Sequence, residues 1–275
     1  MIKLKQILKE APKSSELYKQ GRTKEIDKAK FLEIYNSKCI KLNESSDLIY
    51  RYIYGFEDDY GFVNPIGENK RVSAYDANNY YTLLLDNLPS WKNYPKRSES
   101  LICTSDVTNA MGRDFSGHGG VYIIIPFKNS NIAITSNYDI WLSFPELKDE
   151  LKMSDIATLN HVINELFDVY NISQKHTYES FIELESYIKK DPKRIYSNLK
   201  SYFLERFNIS QIIKQVKHVG IIKFFDDLLN PEYNGMKLIT ATDDMSLPRK
   251  REIWTDGQSL VVRQGNLHIL GLEEH

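Results

Sequence analysis

The feature that most constrains this chain is a change in the rhythm of its apolar residues near residue 148, reversed near residue 231. Before the change, aromatic and β-branched runs alternate with turns: LIYRYIY at 48–54, SESLICTS at 98–105, VYIIIPF at 121–127 and a short run at 131–135. Such runs predict strands, and the almost wholly apolar third one predicts a strand buried on both faces. A short helix over 77–88, ended by Pro89, interrupts them. Between 148 and 230 the apolar residues recur at helical spacing. Ile156, Leu159, Ile163, Leu166 and Phe167 form one stripe over 155–170, with Ser154 as its N-cap. Further helices are predicted over 177–190, over 192–207 with Asp191 as cap, over 210–217 and over 219–229, where Asn230-Pro231 ends the block. Strand character then returns at 236–241, 251–255, 259–263 and 267–270, with Asp256-Gly257 and Gln264-Gly265-Asn266 read as hairpin turns.

Residues 1–47 read as helical and charged. Ile26, Ala29, Leu32 and Tyr35 recur every third residue, and 43–47 is a turn-rich break. The expectation is an α+β protein with three parts: an N-terminal helical segment (1–47), a mixed or antiparallel β core (48–147 with 231–275) and a helical insertion (148–230). The insertion must pack its apolar stripes, so Ile156, Leu159, Ile163, Leu166, Phe181, Leu184, Tyr202, Phe203, Ile221, Phe224 and Phe225 are predicted to be buried.

Composition excludes several classes. The 36 basic and 37 acidic side chains leave a formal charge of −1, which argues against a dedicated nucleic-acid coat while leaving room for a local basic patch. No apolar run approaches the ~20 residues of a membrane span, and the start has no apolar signal core. No membrane partner and a cytoplasmic location are therefore expected, in the host or in a virion if the chain is phage-encoded. Cys39 and Cys103 allow one disulfide, but a reducing compartment is the simpler reading, and two cysteines cannot build a cysteine-rich zinc site. The six histidines show no metal-binding spacing. No P-loop or Rossmann glycine pattern occurs, because Gly117-His118-Gly119-Gly120 precedes a strand instead of following one.

Three places carry candidate chemistry. Arg51 interrupts an apolar strand. It is either an outward surface charge or a planar fork held on a rigid strand for a phosphate. Thr104 and Ser105 end the next strand, where hydroxyls cap the following turn or orient a carboxylate or a ribose. Glu252 sits beside Arg249, Lys250 and Arg251, either paired with them at the surface or catalytic among them. Elsewhere Glu57-Asp58-Asp59 reads as an acidic turn. The stretch with Trp91, Lys92, Lys96 and Arg97 reads as a solvated loop, and His118 as exposed. Arg71 is the second choice for a phosphate arginine.

Taken in order, LIYRYIYG, ICTSDVTNAMGRDF and KREIWTDGQSLVV resemble the arginine, Ser-Thr-Ser and glutamate strands of the ADP-ribosyltransferase superfamily, on its R–S–E side. The resemblance covers patches within 48–135 and 236–263. The run from Arg71 to Asp106 also resembles uncharacterised proteins of tailed-phage genomes. The chain departs from the family at Tyr52, where glycine often follows the arginine, and at Cys103, the first residue of the triplet. It departs again at Lys250, two residues before the glutamate. Lysine there cannot take a proton from a guanidinium, which points away from arginine as acceptor. The resemblance implies an enzyme that uses NAD as substrate and transfers ADP-ribose to a macromolecular acceptor, protein or nucleic acid. Glu252 would stabilise an oxocarbenium-like centre, Arg51 would bind phosphate, and Thr104 and Ser105 would hold ribose or the carboxylate. Tyr80 or Tyr81 would stack on nicotinamide. The competing expectation is a non-catalytic phage structural or interaction protein that keeps the fold. The two differ in one spatial respect: a transferase needs Arg51, Thr104 or Ser105, and Glu252 in one cleft.

Overall fold

A computed structural model describes residues 23–66, 80–112, 118–173 and 177–272. Of these, the residues within 1–74, 94–138 and 237–275 form one compact unit, and those within 75–93 and 139–236 form a second. The first unit is built on nine strands: β1 Thr23–Glu25, β2 Ile49–Tyr54, β3 Tyr60–Val63, β4 Leu101–Thr104, β5 Gly119–Pro126, β6 Asn131–Ile134, β7 Lys237–Thr240, β8 Glu252–Thr255 and β9 Ser259–Arg263. They form one sheet in the order β1-β3-β9-β5-β2-β4-β8-β6-β7, and every neighbouring pair is antiparallel. The fold is thus α+β with an antiparallel sheet.

The apolar run of β5 explains its place. It pairs with β2 on one side and β9 on the other, and Tyr122–Pro126 are all buried. The helices of this unit are α1 (Lys28–Lys38), capped by Asp27, and the short α3 (Val107–Met111). The core joins Phe31, Ile34 and Tyr35 of α1 to the isoleucines and valines of β5 and β9. That corrects the predicted stripe. The helix starts later than residue 24, so Phe31, Ile34 and Tyr35 face inward while Ala29 is exposed. Residues 1–22 lie outside the described ones.

Other expectations for this unit also change. Strands β1 and β3 were not legible as strands. Tyr60–Val63 hides because Gly61 breaks its apolar run, and that glycine is required by the Phe56 ring and the Lys24 carbonyl, 2.5 and 2.7 Å from where a Cβ would lie. Asp256-Gly257 is not a hairpin turn. It joins β8, which lies between β4 and β6, to β9, which lies between β3 and β5. Gln264-Gly265-Asn266 leads into a 3₁₀ turn at Leu267–Leu270 instead of a strand.

The second unit is helical: α2 (Tyr80–Asn87), α4 (Glu146–Leu151), α5 (Ile156–Val169), α6 (Tyr178–Lys190), α7 (Lys193–Asn198), α8 (Ser201–Arg206), α9 (Ile209–Val219) and α10 (Ile221–Leu228). Helix α2, expected within the β core, belongs here. The Tyr80 amide donates to Asn160 on α5 at 2.7 Å, and the Trp91 indole donates to the Leu229 carbonyl at 2.8 Å. Trp91 is therefore part of a core, not of a solvated loop. Asp155, one residue after Ser154, caps α5. The single helix predicted over 192–207 is two, broken where Leu199 turns extended, and Asp191 makes no cap bond, because Pro192 occupies the cap position of α7. Nine of the eleven residues predicted to be buried are so. The exceptions are Tyr202 and Phe203, both on α8, a helix with no buried residue.

Candidate functional site

Strands β2, β4 and β8, which carry Arg51, Thr104 and Glu252, are consecutive neighbours in the sheet. Their register decides which side chains share a face. Tyr50 lies opposite Thr104, and Thr104 lies opposite Glu252. Residues directly opposite in an antiparallel pair point the same way, and successive residues along a strand point to opposite faces. Tyr50, Thr104 and Glu252 therefore share one face. Arg51 points to the other, in the row of Ile49 and Ile53, and is half-buried with its guanidinium donating to the Ile102 carbonyl.

Glu252 is not paired with its sequence neighbours at the surface. It is 2% exposed, and one carboxylate oxygen, Oε1, accepts from the Arg97 guanidinium and from the Trp254 indole, each at 2.6 Å. The Arg97 guanidinium lies 4.8 Å from the Trp254 ring centre. At 8% exposure, Arg97 is buried, which corrects its reading as a loop cation. Trp254 was missed as a partner, although the i, i+2 spacing in a strand puts it on the face of Glu252 and could have found it. Arg97 offered no such signal, since 155 residues separate it from Glu252.

The hydroxyls of the next strand end hold backbone. Thr104 Oγ1 accepts from the Asp106 amide at 3.1 Å. Ser105 Oγ donates to the Pro248 carbonyl at 2.6 Å and accepts from the Arg251 amide at 3.0 Å, clamping the segment ahead of β8 onto the end of β4. Asp106 caps α3, and its bond from the Thr108 hydroxyl holds its carboxyl below the usual range. Tyr80 and Tyr81 are corrected outright. Both are fully buried in the helical unit, Tyr80 among Phe167 and Phe181, and neither ring has an open face for a nicotinamide.

A cavity of about 530 Å³ opens where Tyr50, Ser105, Asp106, Leu247, Arg249 and Lys250 come together. Arg51, Thr104 and Glu252 are not among its walls. Lys250 sits in the left-handed backbone region at φ 56°, a costly conformation for a lysine. Among the described residues, no group of three or more His, Cys, Asp or Glu side chains is placed to hold a metal ion. Both cysteines are buried and unbridged, and burial pushes the Cys39 thiol up to about 12, far from a reactive thiolate. No helix among the described residues is long and apolar enough to cross a membrane. Comparison with protein-family models, curated proteins and solved structures returns no match.

Proposed function

We propose that this chain is a non-catalytic interaction protein built on an ADP-ribosyltransferase-like sheet, of the kind its tailed-phage resemblance implies. The likeness in scaffold is supported by the adjacency of the three motif strands in the order β2–β4–β8. One observation carries the loss of catalysis: the arginine and the glutamate of the motif point to opposite faces of the sheet. Transfer of ADP-ribose from NAD needs a phosphate contact and a carboxylate converging on one ribose. Here the carboxylate is also occupied by a guanidinium and an indole in a buried pair.

A transferase is the second reading, favoured by the direct Thr104–Glu252 pair, which keeps hydroxyl and carboxylate side by side. In that reading Arg51 has no part, and Arg97 must leave Glu252 before the carboxylate can meet a substrate. Incubation with NAD labelled in its adenylate half, in the presence of a bacterial lysate, separates the two. The expected result is no incorporation above that of a Glu252→Gln control. Covalent label that disappears in the control would overturn the non-catalytic reading and restore the transferase.

A further inference from the structure

The helical unit carries a concentration of positive charge that the near-neutral total conceals. Residues 187–218 hold eight Lys and Arg against two Asp and Glu, on a chain whose formal charge is −1. Two of those cations are neutralised in place, Lys189 by Glu185 and Lys200 by Glu165. Lys190, Lys193, Lys214 and Lys217 have no carboxylate within ion-pair distance among the described residues, and all four are exposed.

Secondary structure gathers part of this charge onto one surface. Helix α9 buries Ile209, Ile212, Ile213 and Val216, so Ser210, Lys214 and Lys217, spaced four and three apart, line its outer face. With Ile213 and His218 they border a groove of about 490 Å³. The Glu185 carboxylate of α6 accepts the Ile221 amide just past the end of α9. Lys189 and Lys190 lie about one helical turn beyond that contact, and Lys217 and His218 about one turn before it.

At the other end of α9 stands α8, the helix with no buried residue. Tyr202, Phe203 and Phe207 cluster there with ring centres 5.4–6.2 Å apart. Arg206 lies over both Tyr202 and Phe207, and its guanidinium also donates to the Tyr202 hydroxyl. Tyr202 is 51% exposed, and so is Tyr196 on the preceding helix. Rings propped by an arginine on α8, and unpaired lysines on the outer face of α9, the helix that follows it in the chain, are the two components of a single-strand binding surface: cations for the backbone and flat faces for unstacked bases.

We propose that the α8–α9 surface binds single-stranded nucleic acid, with Lys214 and Lys217 on phosphates and Tyr202, braced by Arg206, stacking on a base. An anionic membrane fits less well. A helix that lies in a lipid surface must offer its apolar face, and that of α9 is buried within the unit. An acidic peptide would be held by charge alone and gives no reason for the exposed rings. The inference does not depend on whether the sheet unit is catalytic.

The test is fluorescence anisotropy of the full chain with 20-nucleotide oligo(dT) and oligo(rU), at 50 and 200 mM salt, beside light-scattering with phosphatidylserine-containing vesicles. Saturable binding is expected to at least one oligonucleotide. For about four phosphate contacts it should weaken roughly fifty-fold between the two salt concentrations. Lys214→Glu with Lys217→Glu should lower affinity tenfold or more and flatten the salt slope. Tyr202→Ala should lower it about five-fold or more with the slope unchanged. Circular dichroism checks that each variant is folded, and Lys214→Gln with Lys217→Gln replaces the reversal if that one is not. Absence of binding at 50 mM salt would overturn the proposal. So would full affinity in the lysine variants, Tyr202→Ala without effect, or vesicles bound in place of both oligonucleotides.

Discussion

Glu252 and Arg97 are charges removed from water, and each is acceptable only because the other is there. Glu252→Gln would leave the Arg97 guanidinium buried without its counter-charge. Urea unfolding should show a loss on the order of 3 kcal/mol. Replacing both, as Arg97→Met with Glu252→Met, should cost less than the single change, because no charge is left stranded. A double variant that falls by the sum of its singles would mean the two groups do not act as a pair. The same residues mark where sequence reasoning stops. Glu252 was legible as a carboxylate with a task, and the i, i+2 spacing could have found its tryptophan. The partner that fixes the task comes from a segment whose mixture of Lys, Arg and Trp reads as surface. Arg51 shows the complementary limit: one residue of register separates a shared cleft from opposite faces, and register is set by the pairing partners, which a single strand does not encode.

At the scale of elements, long periodic segments were legible and short ones were not. Ile156–Val169 and Tyr178–Lys190 carry strong apolar stripes, and their extents lie within two residues of those read from the sequence. β1 and β3 escaped, being three and four residues long. The connection Asp256-Gly257 misleads because its glycine serves close packing instead of a tight hairpin. A Cβ on Gly257 would lie 1.7 Å from Ser130 Oγ and 2.5 Å from Ser130 Cβ. Gly257→Ala is therefore expected to lower stability by about 1–3 kcal/mol, the range for overpacking. In a Ser130→Gly background the same substitution should cost much less. Equal melting-temperature losses in the two backgrounds would show that crowding against Ser130 is not what requires the glycine.

For the molecule as a whole, the sheet is assembled out of sequence order. β8 and β9 follow one another in the chain, yet each occupies an interior place, and three strands, β5, β2 and β4, separate the two. Without β9, the ladder from β1 and β3 to β5 is broken. A chain ended after Gly257 is expected to lose cooperative thermal unfolding altogether, which differential scanning calorimetry would detect. A sharp transition in that truncated chain would show that α1 and the core packing suffice to hold the two halves together. The intact protein meets the same situation while it is being made. On the ribosome, until Thr255 has left the exit tunnel, the strands already synthesised can pair only as β1-β3, β5-β2-β4 and β6-β7, and each piece presents two open edges. Nascent chains therefore carry six unpaired strand edges until β8 emerges, and four until β9 does, where the finished sheet has two. Slow codons in that last stretch should lengthen the exposure and lower the soluble yield, and a chaperone that shields strand edges should raise it.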